Sequence, residues 1–212
     1  MIIFASLMAL SVADASAQRI IGGAIGASSQ GAGASDIPYL GPPFGGDATS
    51  AFGLIDFPFG GHVTIGGEAS LAGAISGDQA QRTGTASNQF ESRHRDSVFS
   101  GVVKFGVPVF PRVRAAAAGG FGAAWRRTAR SGTTASIFPP SSRQPFNDTL
   151  SDFVPAYSFG GDVQVRLTDR LSALAIARWH RLRDDDLQSD GVVKRGVSSN
   201  IARYGIGATF RF

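Results

Sequence analysis

Three groups of residues carry side chains that can do chemistry. His94, Asp96 and Ser97 bring an imidazole, a carboxylate and a hydroxyl within four positions, the residue types of a nucleophilic triad. Triad members usually converge from separate elements, so adjacency alone is a poor warrant. Asp186-Leu187-Gln188-Ser189-Asp190-Gly191 opens like a calcium loop. Its twelfth position is Val197, where a bidentate Glu belongs, and Gln188 is neutral; with Asp184 and Asp185 alongside, a solvated acidic loop is the simpler reading. His62, His94 and His180 do not stand at metal-ligand spacing, so neither metal nor cofactor is expected. The glycines from Gly22 to Gly26 lack the spacing and the following helix of a phosphate loop. Cys is absent, which excludes disulfides, thiolate metal sites, a Cys nucleophile and a lipid-bearing cysteine. A catalytic residue is therefore not expected.

These residues must be positioned by elements, and the composition narrows which. Charged residues are 17 % of the 212, and there are 28 Gly, 16 Phe and 10 Pro. An average soluble domain carries about 25 % charge and half as much glycine, which argues against disorder and coiled coil. The formal charge is +4, and of the 20 basic residues only Lys104 and Lys194 are lysines. The arginines form no basic helix or stripe, so nucleic acid is not the expected partner. Ile2 to Ala13 is an apolar run followed by Ala15-Ser16-Ala17, the pattern of a signal peptide over residues 1–17, with 18–212 as the mature domain. The alternative is an N-terminal core helix. Downstream, the longest apolar run is Ala115 to Trp125, well short of the ~20 residues of a spanning helix.

The remainder alternates with period two. From Phe153 to Leu167 the odd positions are mainly apolar and aromatic, while Ser158, Asp162, Gln164 and Arg166 lie among the even ones. The same split recurs from Val63 to Ile75, from Val113 to Trp125 and from Ala202 to Phe212. Such alternation predicts eight strands, near 19–28, 48–57, 62–77, 95–107, 112–129, 153–167, 170–182 and 200–212. The connections run long (29–47), tight (Pro58 to Gly61), long (78–94), tight (Pro108 to Pro111), long (130–152), tight (Thr168-Asp169) and long (183–199). In an up-and-down antiparallel sheet, strict alternation puts every tight turn at one end. That asymmetry, with an even strand count and apolar-out strands, predicts an all-β, eight-stranded antiparallel up-and-down transmembrane β-barrel. Closure follows because lipid offers an unpaired edge nothing to hydrogen-bond.

The C-terminal Gly207-Ala208-Thr209-Phe210-Arg211-Phe212 adds a more specific signal. It resembles the assembly signal of the small eight-stranded outer-membrane barrel family, the OmpA-type, OmpX-type and opacity-protein-like group often labelled porin-like: Gly207, two spacers, then Phe210 and Phe212. Gly205 stands where that pattern places a large polar residue. Leu167-Thr168-Asp169-Arg170-Leu171 and Arg178-Trp179 resemble the tight turn and following strand of the same group, although Leu174 and Ile176 take lumen positions that often carry charge there. The resemblance spans about Gln18 to Phe212. It implies export to a bacterial outer membrane, handling by barrel-assembly machinery, contact with membrane lipids and lipopolysaccharide, and a monomeric state.

An eight-stranded barrel is filled by side chains. The expected inward positions are Glu68, Lys104, Arg114, Asp162, Gln164, Arg166, Arg178, Arg203 and Arg211, with Glu68 and Asp162 as hubs of an ion-pair network that includes Lys104, Arg114, Arg166, Arg178 and Arg203. Such a network plugs the barrel or lines a narrow polar path; the plug is favoured. Phe57, Phe99, Phe105, Phe110, Phe121, Trp125, Phe153, Tyr157, Phe159, Trp179, Tyr204, Phe210 and Phe212 are expected to face lipid. Arg126, Arg127, Arg181 and Arg183, near the long-loop ends, suit lipopolysaccharide phosphates. The expected role is structural or surface-interactive: envelope stability, adhesion, or lipopolysaccharide contact through loops, of which 29–47 and 130–152 are expected to be mobile. The alternatives are a narrow channel for small solutes and a lipid-A-modifying barrel enzyme.

Overall fold

The computed structural model describes residues 19–32, 46–83, 86–136, 143–182, 187–189, 192–194 and 199–212. The expected signal peptide, Arg183 and the acidic residues of the calcium-like loop, Asp184, Asp185, Asp186 and Asp190, lie outside them. The described residues form eleven strands: β1 (Ile20–Ala32), β2 (Gly46–Phe59), β3 (Val63–Ala72), β4 (Ile75–Thr83), β5 (Ala86–Phe110), β6 (Val113–Ser136), β7 (Gln144–Arg166), β8 (Leu171–Leu182), β9 (Leu187–Ser189), β10 (Val192–Lys194) and β11 (Ser199–Arg211). All pairings are antiparallel, in the order β3-β2-β1-β11-β8-β7-β6-β5-β4, and β3 also pairs with β5. That last pairing closes the cylinder. β3 and β4 are two pieces of one stave, interrupted at Gly73-Ala74, and both hydrogen-bond to β5. Eight staves result, and among the described residues no helix is long and apolar enough to cross a membrane.

Alternation decides which side of each strand faces inward. β2 reads exposed and buried by turns from Ser50 to Phe57, and β8 does the same from Leu174 to Leu182. Phe159, Val163 and Val165 are exposed while Asp162 is 3 % exposed, so the apolar face points outward. Every aromatic expected to face lipid does so. Several pair across strands in register: Phe121 with Tyr157 at 5.3 Å, Trp125 with Phe153 at 6.4 Å and Phe159 with Trp179 at 6.1 Å. Ile21, Ile25, Ile65, Val103 and Ile206 complete the outward belt. A surface this apolar around a charged interior belongs in a bilayer, where a closed sheet satisfies every backbone group internally.

The interior is not wholly polar. Ala24, Phe52, Leu54, Leu174 and Ile176 form one buried apolar cluster, and Val98, Ala124, Val154, Ala156, Leu182 and Ile201 form another. Tight turns fall at 60–62, 111–112 and 167–170, all at one end, and Gly60 supplies the positive φ of the first.

Two expectations need correction. The connections 78–94 and 130–152 are not loops throughout: β4 pairs with β5 from Thr83↔Ala86 to Ile75↔His94, and β6 with β7 out to Thr134↔Gln144. The sequences of these ribbons are rich in Ser, Thr, Gln and Asn. They therefore lack the apolar period that marks a strand in lipid.

Candidate functional site

The buried charges gather inside the barrel and tie five staves together. Lys104 on β5 points its Nζ at three carboxylates, 3.0 Å from Asp56 Oδ2 on β2, 2.9 Å from Glu68 Oε1 on β3 and 3.0 Å from Asp162 Oδ2 on β7. Arg178 on β8 forks onto Glu68, its Nε donating to Oε2 at 2.7 Å and its Nη2 to Oε1 at 2.5 Å. Its Nη1 lies 2.7 Å from Asp162 Oδ1 and donates to the carbonyls of Gly161 at 3.0 Å and Ala177 at 2.9 Å. Both cations thus direct their donors at carboxylates and backbone carbonyls, as buried charges require. Asp162 is held at ion-pair distance outside hydrogen-bond alignment, and Asp56 Oδ1 has no donor. A cavity of about 20 Å³ beside Asp56, Lys104, Asp162 and Gln164 has room for one water.

Of the expected network, the structure joins Glu68, Lys104, Asp162 and Arg178. Arg203 lies elsewhere, fully buried, with Nη1 donating to the Ser70 carbonyl and hydroxyl at 2.5 and 2.7 Å and Nη2 to the Asp96 carbonyl at 2.7 Å. Arg114 and Arg166 are not in the network either. Both sit at the turn end, where carbonyls and water serve a guanidinium at no desolvation cost: Arg114 Nη2 reaches the carbonyls of Gly61 and His62 at 3.4 Å, and Arg166 Nη2 that of Pro111 at 3.1 Å. Asp56 was not among the residues singled out from the sequence. Its signal was there, since it shares the inward parity of Phe52 and Leu54 between Ile55 and Phe57.

A second polar cluster centres on Asp96. Its Oδ2 accepts from Gln30 Nε2 at 2.9 Å and lies 2.9 Å from His94 Nε2, while Oδ1 meets Arg126 Nε at 3.3 Å. His94 Nδ1 faces Thr128 Oγ1 at 2.9 Å. Ser97, the expected nucleophile, has the outward parity and takes no part: period two separates it from His94 and Asp96. The hydroxyl on the ring is that of Thr128, which is 9 % exposed. His180 is also buried, with Nδ1 2.7 Å from Ser158 Oγ. Among the described residues no cluster of His, Asp or Glu could hold a metal ion.

The outer end carries outward arginines. Arg127 and Arg181 are exposed, as are Arg93 and Arg95, and Arg95 stands directly opposite Arg127 in the sheet. Arg126, expected to face lipopolysaccharide with them, turns inward to Asp96 instead, because it has the other parity. At the seam, Gly207 pairs with Ala24, and a Cβ on Gly207 would fall onto the Gly23 carbonyl oxygen. Phe210 and Phe212 face outward, ring against ring at 4.9 Å.

No protein-family model and no curated protein sequence matches the chain. Among solved structures it is similar to Ail, the attachment invasion locus protein of Yersinia pestis, with a TM-score of 0.50 and 12 % identity over 92 % of this chain and 99 % of that one. The fold is that of the small outer-membrane barrels. A major outer membrane protein of Thermus thermophilus matches with a TM-score of 0.49 and 13 % identity over 91 % of this chain and 99 % of that one. Neisserial surface protein A follows with a TM-score of 0.46 and 10 % identity over 92 % and 97 %. The outward apolar belt of this outer-membrane barrel and its closed polar interior agree with the expected bacterial outer-membrane location.

Proposed function

We propose that this outer-membrane barrel is a sealed, non-enzymatic scaffold that stabilises the envelope and presents its outer end for adhesion or lipopolysaccharide contact. The observation that carries this reading is the cross-lumen bracing by Lys104 and Arg178, which link β2, β3, β5, β7 and β8 through Asp56, Glu68 and Asp162. A water-filled path through that bracing would have to break buried ion pairs. The outer end supports the second half of the proposal. Arg95 and Arg127 face each other, exposed and without a carboxylate between them, an arrangement that repels itself until an anion bridges it. Lipopolysaccharide phosphates are anions of that kind at that level of the membrane. The barrel-assembly machinery remains the expected partner during biogenesis, with the mature barrel acting as a monomer.

Planar-bilayer recording of the refolded protein tests the sealed lumen. The expected result is no steady opening in neutral salt; a reproducible unitary conductance would replace the scaffold by a narrow solute channel. Replacing Arg95, Arg127 and Arg181 together by Gln is expected to reduce lipopolysaccharide co-purification, and unchanged retention would remove that part of the proposal. Mass spectrometry of lipid A with and without the protein is expected to show no new species.

A further inference from the structure

The opposite end of the barrel, which carries the tight turns, presents arginines to its mouth. Arg112 and Arg114 on the β6 stave, Arg166 on β7, Arg170 before β8 and Arg211 on β11 all have the lumen-facing parity of their strands, whereas Arg19 has the other. These staves are consecutive in the wall, so the five arginines form an arc over one half of the mouth. Three strand spacings make that arc about 14 Å long. Arg112 stands opposite Arg166, whose N donates to the Arg112 carbonyl at 2.8 Å, and Arg170 opposite Arg211, whose N donates to the Arg170 carbonyl at 2.8 Å. Arg114 and Arg166 each reach a backbone carbonyl, but among the described residues none of the five is ion-paired. Like charges directly opposite one another repel, so the arc is incomplete without an anion.

The other half of the mouth differs. Pro58 on β2 and Gly106 and Pro108 on β5 have the lumen-facing parity there, and the first charge below them, Asp56, is buried against Lys104. The Arg114 guanidinium lies against Gly106, and beneath it Lys104 and its three carboxylates close the lumen. The mouth is thus a closed bowl, cationic on one wall and apolar on the other, on which a ligand docks without threading the barrel. Its position narrows the occupant. A phospholipid of the surrounding leaflet keeps its headgroup outside the wall, and a second copy would bring the same arginines. A single small anion meets one arginine pair only, and at an exposed site salt screens it within about 8 Å. A polypeptide segment with several carboxylates and apolar residues between them meets both pairs and the apolar wall together.

We propose that the turn end of the barrel docks an extended acidic segment of a periplasmic protein, with carboxylates at alternate positions and apolar residues between them. The short turns of such barrels face the periplasm. Period two gives an extended segment one carboxylate face, for the arginine arc, and one apolar face, for Pro58 and Pro108. Carboxylates two residues apart are about 7 Å from each other, and the two arginine pairs about 10 Å, a difference that two long side chains absorb. Guanidinium forks match carboxylate oxygens. This surface is at the far end of the barrel from the lipopolysaccharide contact and does not depend on it.

Fluorescence anisotropy tests the assignment, with the refolded protein in phosphatidylcholine nanodiscs and a labelled octapeptide of glutamate–valine repeats as the probe. The wild type is expected to bind this peptide more than about tenfold more tightly than its glutamine–valine counterpart, and less tightly as salt is raised. A glutamate–serine counterpart, which lacks the apolar face, should bind several-fold more weakly. R112Q/R166Q/R170Q/R211Q should abolish the preference for glutamate while leaving lipopolysaccharide retention as in the wild type. R166Q and R211Q should each weaken binding several-fold. The heat-dependent gel shift of each variant reports that its barrel has closed. Equal affinity of the wild type for the glutamate and glutamine peptides would overturn the proposal, as would a preference that survives in the closed quadruple variant. Tripolyphosphate binding as tightly as the peptide would overturn it too, since any polyanion would then suffice, and tighter binding of a soluble muropeptide would give the surface to the cell wall instead. If the quadruple variant does not close, the wild-type comparison and the single variants still decide.

Discussion

Lys104 holds three carboxylates with one ammonium, so the cluster of Asp56, Glu68, Asp162, Lys104 and Arg178 carries one more acid than base. The two signs of charge should therefore respond unequally to substitution. Lys104→Met strands three carboxylates around a single guanidinium and is expected to cost about 3–5 kcal/mol, the range for breaking a buried pair. Asp56→Asn removes the surplus charge and still offers Lys104 an acceptor; its cost should stay below about 1 kcal/mol. Urea unfolding of the refolded barrel in vesicles measures both, and equal losses would contradict the charge count. Much of this cluster was legible in the sequence, because parity alone turns Glu68, Lys104, Asp162 and Arg178 inward. Parity could not say which inward charges would meet. Height along the tilted staves decides that, and it sends Arg203 to Ser70 and leaves Arg114 and Arg166 at the mouth, where carbonyls serve them.

The seam between β1 and β11 depends on glycine. Gly207 is the glycine of the C-terminal signal, and the structure supplies a packing reason for it: a methyl group there meets the β1 backbone at Gly23 and Ala24. Gly207→Ala is expected to destabilise the barrel by about 1–3 kcal/mol through overpacking, read as a lower urea midpoint and slower closure. The long ribbons should behave in the opposite way. β6 and β7 run 24 and 23 residues, while a tilted strand needs about 10 to cross the apolar core. Joining Ser131 to its partner Asn147 by a two-residue turn removes only ladder beyond the bilayer. The shortened protein is expected to show the same heat-dependent gel shift, and failure to close would mean that the ribbons are part of the barrel's stability. The spanning parts of the strands could be read from an alternation that lipid enforces. Their extensions could not, because sequences rich in Ser, Thr, Gln and Asn show no such alternation.

For the whole molecule, the account rests on orientation: apolar side chains toward lipid, ion pairs within a closed wall. Sequence and structure agree on this for β7, where Tyr157, Phe159 and Val163 are exposed while Ser158 and Asp162 are buried. β1 was harder to read because Ile20 is turned inward and Ile21 and Ile25 outward, so apolar residues occupy both faces of the same strand. The absence of native cysteine makes the orientation directly measurable. Single cysteines placed along β7 at 156, 157, 158, 159, 163 and 164 can each carry a nitroxide in the refolded, membrane-inserted protein. Accessibility to oxygen, which partitions into the bilayer, is predicted to be high at 157, 159 and 163 and low at 156, 158 and 164. Uniform accessibility along the strand, or the opposite alternation, would contradict the barrel described here.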